Sequence, residues 1–272
     1  MPFLERDGVR IWWNAIGNGE PVLLLNGLSS SSDMWFRLVR HLSPTFRVLT
    51  VDNRGTGRTG VTPGGPYSIE TMAFDAVAAL DAGGVEQAHV VGLSMGGLIA
   101  QEIALSVPDR IRSLVLAATH GGFRSALPLS ADVTERFAKA AELPADERMQ
   151  ELSPLFYAST TPRTEIDIDN AVRDTWPTSS EGYGNQLRGA MSWGRFGDLP
   201  TLVAPTLVLA GEVDIVVPPE NSRILAAAIP GARLELVPGA GHQVFTDQEH
   251  VAAGLVIDFL LTVDGVVPAR TP

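Results

Sequence analysis

One serine stands in a pattern that is typical of an activated nucleophile. Residues 88–98 read AHVVGLSMGGL, in which Gly92 and Gly96 lie two positions to either side of Ser94. A G-x-S-x-G pattern between a strand and a helix predicts a sharp turn that lifts the serine hydroxyl into a cleft. The serine then takes a positive φ angle, and the chain is so tight that the flanking positions have no room for a Cβ. An apolar run before the turn and apolar residues at helical spacing over 97–103 favour this interpretation over a flexible loop.

A serine hydroxyl needs a general base, and the base needs an acid to orient it. In proteins whose serine lies on a turn of this kind, the three residues occur in the chain order serine, acid, histidine. His242 comes directly after the apolar run 234–237 on a glycine-rich loop, at the sheet edge where parallel-sheet sites form, and is predicted to be the base. His120 also follows an apolar run and could line the pocket, but no acid follows it in the position that the chain order requires. The other three histidines lie within predicted helices or strands: His41, His89 and His250.

Asp214 is the predicted acid, because it lies just past the apolar run 207–210 and therefore near the same sheet edge. Glu212 is the local competitor. Two carboxylates two residues apart on a loop seldom point the same way, and Glu212 is as readily a solvated or loop-stabilising residue.

An acyl-transfer site also needs donors for the negative oxygen of its tetrahedral intermediate, and backbone N–H groups suit that role. Met95 follows the serine directly at a helix N-terminus, where the helix dipole favours negative charge. The second donor is expected from the loop 25–30, where Gly27 lets the backbone turn and Leu28 supplies the N–H group.

The elements that must position these residues are read from apolar runs. After a hairpin signal at Asp7-Gly8, short apolar strands alternate with helical segments as far as residue 120, and the alternation resumes after residue 200. Continuous apolar strands spaced by helices predict an α/β fold with a mostly parallel sheet flanked by helices. The intervening stretch is polar, contains prolines and has a helical pattern.

We therefore expect a core made of residues 1–120 and 201–272 and a small helical cap of residues 121–200. The cap holds a large share of the aromatic residues. Packing against the core is the first interpretation of each, and substrate contact is the second. These residues are Phe156, Tyr157, Trp176, Tyr183, Trp193 and Phe196.

Composition limits the partners and the compartment. A net charge of -11 and a pI near 4.9 argue against nucleic acid and against anionic membrane surfaces, since both require a basic face. The chain has no cysteine, so it offers no disulfide, thiolate nucleophile or cysteine metal site. It has no apolar stretch long enough to span a bilayer and no visible signal peptide, so a cytoplasmic location is expected.

Taken together, these residues resemble the α/β-hydrolase superfamily over nearly the whole chain, and in particular its small serine esterases, lactonases and cofactor-free haloperoxidases. Residues 52–58 read DNRGTGR, similar to the D-x-R-G-x-G-x-S segment of those proteins, with Thr59 where serine is usual. Asn26 stands where many members have histidine before the oxyanion-loop glycine, so hydrogen bonding in that loop is expected to differ. Epoxide hydrolases and haloalkane dehalogenases carry aspartate at the elbow, and Ser94 argues against both.

The motifs and the resemblance together predict a serine hydrolase that cleaves a carboxylic ester, thioester or lactone through an acyl-enzyme. No metal or organic cofactor is required, and a small-molecule substrate, neutral and partly apolar, is expected. The same triad serves C–C bond hydrolases and perhydrolases or haloperoxidases, which are the alternatives among enzymes. A ligand-binding member without catalysis is the alternative from another class.

Overall fold

The computed structural model describes residues 3–266, and its centre is a single eight-stranded sheet. The spatial order of the strands is β1-β2-β4-β3-β5-β6-β7-β8. The pairs β1–β2 and β2–β4 are antiparallel, and all other neighbours are parallel. The strands are β1 (Phe3–Arg6), β2 (Val9–Ile16), β3 (Pro21–Leu25), β4 (Arg47–Val51), β5 (Ala88–Leu93), β6 (Ile111–Ala117), β7 (Thr206–Gly211) and β8 (Arg233–Val237).

The parallel strands are largely apolar because helices cover both faces of the sheet. Side chains alternate between the faces, as in β3, where Leu23 and Leu25 join one core cluster and Val22 and Leu24 join the other. Helices α2, α3 and α8 pack on the first face, and α1 and α10 pack on the second. The helices are α1 (Phe36–Leu42), α2 (Ile69–Ala82), α3 (Met95–Ser106), α4 (Ala131–Ala141), α5 (Ala145–Phe156), α6 (Arg163–Thr175), α7 (Ser180–Ser192), α8 (Pro219–Ala228), α9 (Val244–Asp247) and α10 (Glu249–Val263). The predicted mostly parallel sheet flanked by helices is confirmed.

Local signals account for several element boundaries. Asp7 and Gly8 both adopt positive φ, at 52° and 73°, in the turn of the β1–β2 hairpin that this dipeptide predicted. Ser68 caps α2, since its hydroxyl accepts a hydrogen bond from the Thr71 N–H at 3.0 Å.

Helices α4 to α7 lie between β6 and β7 and are called here the inserted helices. The apolar residues of α4, α5 and α7 form a separate cluster with residues that follow β7, including Val216 and Val217. The insertion therefore packs onto the loop that carries Asp214. The limits of 121 and 200 stay a prediction, and the last six residues of the second core segment lie outside the described range.

No helix within residues 3–266 is both long enough and apolar enough to cross a bilayer.

Candidate active site

Ser94 lies on a strained turn between β5 and α3. Its φ and ψ are 55° and -118°, a conformation that non-glycine residues rarely adopt. A Cβ built on Gly92 would collide with the carbonyl of Gly96, and one built on Gly96 would collide with the carbonyl of Leu25. Neighbouring backbone atoms therefore leave no room for a side chain at residue 92 or at residue 96. The Ser94 N–H donates to the carbonyl of Ala117 at 2.9 Å, which ties the turn to the end of β6.

His242 and Asp214 form a buried pair at the ends of β8 and β7. The distance from His242 Nδ1 to Asp214 Oδ2 is 2.8 Å, and the two residues are only 4% and 3% exposed. The other carboxylate oxygen of Asp214 accepts the N–H groups of Val216 and Val217 at 2.8 and 2.9 Å. With Nδ1 donating to the carboxylate, Nε2 of His242 is the nitrogen that can accept a proton. Glu212, the competing carboxylate, is exposed.

The loop that carries His242 is tied to the inserted helices through Asp247. The Asp247 carboxylate accepts hydrogen bonds from the N–H groups of Gly241 and Ala158, at 2.6 and 3.0 Å, and from the Thr161 hydroxyl at 2.6 Å. Burial raises the pKa of Asp247, although these hydrogen bonds oppose that shift. The position of His242 therefore depends on a contact between the core and the insertion.

Ser94 and His242 line the same cavity, and no hydrogen bond joins their side chains in this structure. A contact of this kind often forms only when substrate binds. The three residues predicted from sequence thus lie at one sheet edge. The hydrogen bond between His242 and Asp214 is formed, whereas Ser94 and His242 are not hydrogen-bonded in this structure.

The two predicted oxyanion donors flank Ser94 on the side of β3. Met95 is the first residue of α3, so its N–H belongs to the first turn and has no carbonyl partner inside the helix. Leu28 lies in the loop after β3 and lines the cavity, and a Cβ on neighbouring Gly27 would lie 3.3 Å from the Ser94 Cβ. The loop passes close enough to Ser94 for a backbone donor to reach the reacting oxygen.

Two amide side chains hold this loop. Asn26 closes it from within, because its Nδ2 donates to the carbonyl of Ser31 at 2.6 Å. Gln186 on α7 holds it from outside: its Oε1 accepts the Ser29 N–H at 2.9 Å and its Nε2 donates to the Arg54 carbonyl at 2.7 Å. No sequence pattern singles out Gln186, since one glutamine in a helix is ordinarily a solvated residue.

The segment 52–58 supports the same loop. Asp52 is fully buried and accepts the N–H and hydroxyl of Ser32 at 2.7 and 2.6 Å with one oxygen, and the Arg58 N–H at 2.7 Å with the other. Thr59 donates to the Asp52 carbonyl at 2.7 Å, so threonine supplies a hydroxyl at the position where serine is usual. These contacts couple the loop after β4 to the loop after β3.

The cavity above Ser94 has a volume of about 480 Å³. Its walls are mainly apolar and come largely from the inserted helices, for example Phe137, Met149 and Leu152. Of the six aromatic residues singled out from the sequence, Phe156 and Tyr183 line it, and the Phe156 ring lies 5.9 Å from that of His242. The remaining four make other contacts, such as Trp193, whose indole N–H donates to Glu102 at 2.7 Å.

Two buried arginines that sequence reasoning missed also line the cavity. Arg148 is 1% exposed and donates to the carbonyls of Ala140, Leu143 and Thr178 rather than to a carboxylate. Burial lowers its pKa. Arg173 donates to the Tyr157 hydroxyl at 2.7 Å.

His120 completes the polar part of the wall. Its Nδ1 accepts the Gly122 N–H at 3.0 Å, and its ring packs edge-on against Phe123. Burial, with a smaller contribution from the charge of His242, lowers the pKa of His120 to about 4. A ring that stays neutral and has one nitrogen occupied by a backbone donor is a poor general base, which favours His242.

Residues 3–266 contain no cluster of three or more histidine, aspartate or glutamate side chains placed to bind a metal. The groups assembled at this edge are the Ser94 hydroxyl, the hydrogen-bonded His242–Asp214 pair and the backbone N–H groups of Met95 and Leu28.

The chain from residue 20 to residue 248 matches the family model for the alpha/beta hydrolase fold. It is 30% identical over 245 residues to an Azorhizobium caulinodans protein provisionally assigned as the carbamate hydrolase RutD, with 89% of this chain and 91% of the other covered. Among solved structures it is similar to the enol-lactonase of Burkholderia xenovorans, with 28% identity, a TM-score of 0.85 and coverage of 95% and 99%. It is also similar to a thermophilic esterase from Thermogutta terrifontis, with 29% identity, a TM-score of 0.82 and coverage of 96% and 97%.

Proposed function

Because this chain belongs to the α/β-hydrolase family, we propose that it is a serine hydrolase that cleaves a carboxylic ester, thioester or lactone. The observation that carries the proposal is the buried His242–Asp214 pair, formed at 2.8 Å beside a cavity that also contains the strained Ser94. A ligand-binding protein has no need of a nucleophile, an oriented base and a locked acid at one place.

In the first half of the proposed reaction, Ser94 Oγ attacks the substrate carbonyl carbon and its proton passes to His242 Nε2. The carbonyl π electrons move to oxygen, and the N–H groups of Met95 and Leu28 bind the oxyanion. Asp214 stabilises the resulting imidazolium through Nδ1. The oxyanion then collapses, and His242 protonates the departing alcohol or thiol, which leaves an ester of Ser94.

In the second half, a water molecule gives its proton to His242 and attacks the acyl-enzyme. The same donors bind the second tetrahedral oxyanion. Collapse returns the proton from His242 to Ser94 Oγ and releases the acid. Each proton and electron pair is accounted for by these side chains and water.

We further propose a neutral and partly apolar substrate. The wall is mostly apolar, and the net charge of -11 repels anions at long range. Three further arginines of the segment between β6 and β7, Arg124, Arg188 and Arg195, are not among the described residues that line the cavity. The guanidinium nitrogens of Arg148 already donate to the carbonyls of Ala140, Leu143 and Thr178. Arg173 is the group that an anionic substrate would use if this proposal is wrong, because its Nη2 is buried without a partner.

The test is covalent labelling with a fluorophosphonate probe, followed by peptide mapping. Wild-type protein should be labelled at Ser94, and the matched Ser94→Ala variant should not be labelled. A panel of aryl esters, thioesters, lactones and a vinylogous 1,5-diketone should then show turnover in the first three groups. Absence of labelling would contradict the serine mechanism, and exclusive turnover of the diketone would move the protein to the C–C bond hydrolases.

A further inference from the structure

The proposed mechanism gives no role to His120, one of the two imidazoles among the described residues that line the cavity. The ends of four neighbouring strands each present one side chain to the site: Ser94 after β5, His120 after β6, Asp214 after β7 and His242 after β8. Three of these form the triad. His120 lies between them and lines the same cavity.

The backbone that carries His120 is held rigidly against the elbow. Thr119 Oγ1 donates to the Ser94 carbonyl at 2.7 Å, and Gln101 Nε2 donates to the carbonyls of Gly97 and His120 at 2.9 and 3.1 Å. A Cβ on Gly97 would collide with Thr119, so the two segments are in direct contact. The position of the imidazole relative to the nucleophile is therefore preset.

The hydrogen bonds of the ring select its tautomer. Nδ1 accepts the Gly122 N–H at 3.0 Å, so the single proton of the neutral ring must be on Nε2. Within residues 3–266 no protein acceptor meets Nε2, and this atom is not among the fully buried polar atoms that lack a partner. Nε2–H therefore keeps accessible surface, on a residue that lines the cavity.

The charge state of the ring agrees with this geometry. Burial lowers the pKa of His120 to about 4, and the charge that His242 acquires during the reaction opposes a second positive charge nearby. The ring then acts as a donor of one neutral hydrogen bond throughout the working pH range, and it does not compete for the serine proton.

Sheet order separates this donor from the oxyanion donors. Leu28 follows β3, which pairs with β5 on one side, whereas His120 follows β6, which pairs with β5 on the other. The Nε2–H group and the Leu28 N–H therefore approach a substrate on Ser94 from opposite sides. A single carbonyl oxygen therefore does not accept hydrogen bonds from both the His120 Nε2–H and the Leu28 N–H.

We propose that His120 Nε2–H is a specificity-determining donor that binds a second, uncharged oxygen of the substrate, such as a keto, ether or hydroxyl oxygen. This deepens the proposed function and rests on it. The preferred substrates are then oxygenated esters, thioesters or lactones rather than plain alkyl ones, since a neutral donor left unpaired in an apolar wall disfavours the latter.

The experiment compares kcat/KM for substrate pairs matched in length in wild type, His120→Leu and His120→Gln. One pair differs on the acyl side, p-nitrophenyl methoxyacetate against p-nitrophenyl butanoate. The other differs on the alcohol side, 2-methoxyethyl butanoate against butyl butanoate. Each ratio is compared between proteins, so the intrinsic reactivity of the esters cancels.

For at least one pair, the preference for the oxygenated member should fall about 3- to 10-fold in His120→Leu, as expected for one lost neutral hydrogen bond. It should be largely restored in His120→Gln, whose amide N–H reaches a position similar to that of Nε2–H. An unchanged ratio in His120→Leu for both pairs would overturn the proposal while leaving the serine mechanism intact. If no ester or thioester were cleaved at all, the proposed function itself would fail.

A second measurement needs neither a folded variant nor turnover. Nitrogen-15 NMR of histidine-labelled wild-type protein should show one ring that remains neutral with its proton on Nε2 from pH 8 down to about pH 5. Assignment follows from its absence in His120→Gln or, if that variant is unstable, from through-space contacts to the Phe123 ring. A proton on Nδ1, or a charged ring at pH 6, would also overturn the proposal.

Discussion

Replacement of Asp214 by asparagine should abolish most of the activity while leaving the fold intact. The substitution keeps the shape of the side chain but makes one of its two terminal atoms a donor. The carboxylate oxygen that faces Val216 and Val217 accepts two backbone N–H groups, at 2.8 and 2.9 Å. The amide oxygen must take that place, because an NH₂ group there would face two donors.

The NH₂ group of the variant then faces His242 Nδ1, which has to become an acceptor. The imidazole proton moves to Nε2, and this tautomer cannot accept the proton of Ser94. Turning the amide to restore the useful tautomer would leave two buried backbone donors unsatisfied, at a cost of roughly 1–3 kcal/mol each. The useful tautomer is therefore reduced about 10²- to 10⁴-fold, and loss of the carboxylate charge also destabilises the imidazolium. We expect kcat to fall by roughly 10³- to 10⁴-fold.

The assay is steady-state hydrolysis of the best ester found in the panel, with the thermal unfolding midpoint measured in parallel. Glu212→Gln is the matched control, since it removes the same charge from the same loop at an exposed position. The control should retain activity within about twofold of wild type, because a surface charge change has little effect on the reacting groups. Asp214 does not orient the base if Asp214→Asn keeps more than about a tenth of wild-type kcat. An equal loss of kcat in Glu212→Gln would also contradict this role of Asp214.

Four further predictions concern the nucleophile Ser94, the base His242, the stability contribution of His120 and the substrate. Ser94→Ala should unfold like wild type yet lose at least about 10³-fold in kcat, and retention of a tenth would refute its role. The value of kcat/KM should fall at low pH because protonated His242 cannot accept the serine proton. His120→Ala should show the same fall at low pH, and loss of this pH dependence in His120→Ala would reverse the roles of the two histidines. The contribution of His120 to the free energy of unfolding should fall by up to about 3 kcal/mol between pH 6.5 and 4, because the unfolded chain takes up a proton that folded His120, with a pKa of about 4, does not. In chemical denaturation His120→Gln should therefore show a weaker acid dependence than wild type, whereas the buried His89, whose pKa burial also lowers, contributes to both proteins. Neutral esters should exceed matched carboxylate-bearing esters in kcat/KM, whereas a preference above about tenfold for the anionic member would point to Arg173.

Much of the fold could be predicted because its signals are local. The Asp7-Gly8 turn and the apolar strands each depend on a few neighbouring residues, and they appear in the structure close to their predicted places. The limits of the inserted segment have no such signal. The helices of this segment are amphipathic, and the spacing of their apolar residues does not indicate which other element covers each apolar face.

The sequence by itself determined the elbow at Ser94, because Gly92 and Gly96 are required by the backbone of the turn to which they belong. It also determined the chain order of serine, acid and histidine, since each predicted residue follows a predicted strand and parallel strands share one functional edge.

Only the tertiary structure decided which side chains meet. Asp214 faces His242 because two backbone N–H groups orient its carboxylate, whereas Glu212, two residues away, is directed to the surface. Gln186 and Arg148 reach the site from inserted helices far along the chain, and their types carry no code for that contact. The physical reason is that local patterns limit a residue to an element and a face, whereas burial, tautomer and partner depend on groups brought together from distant parts of the chain.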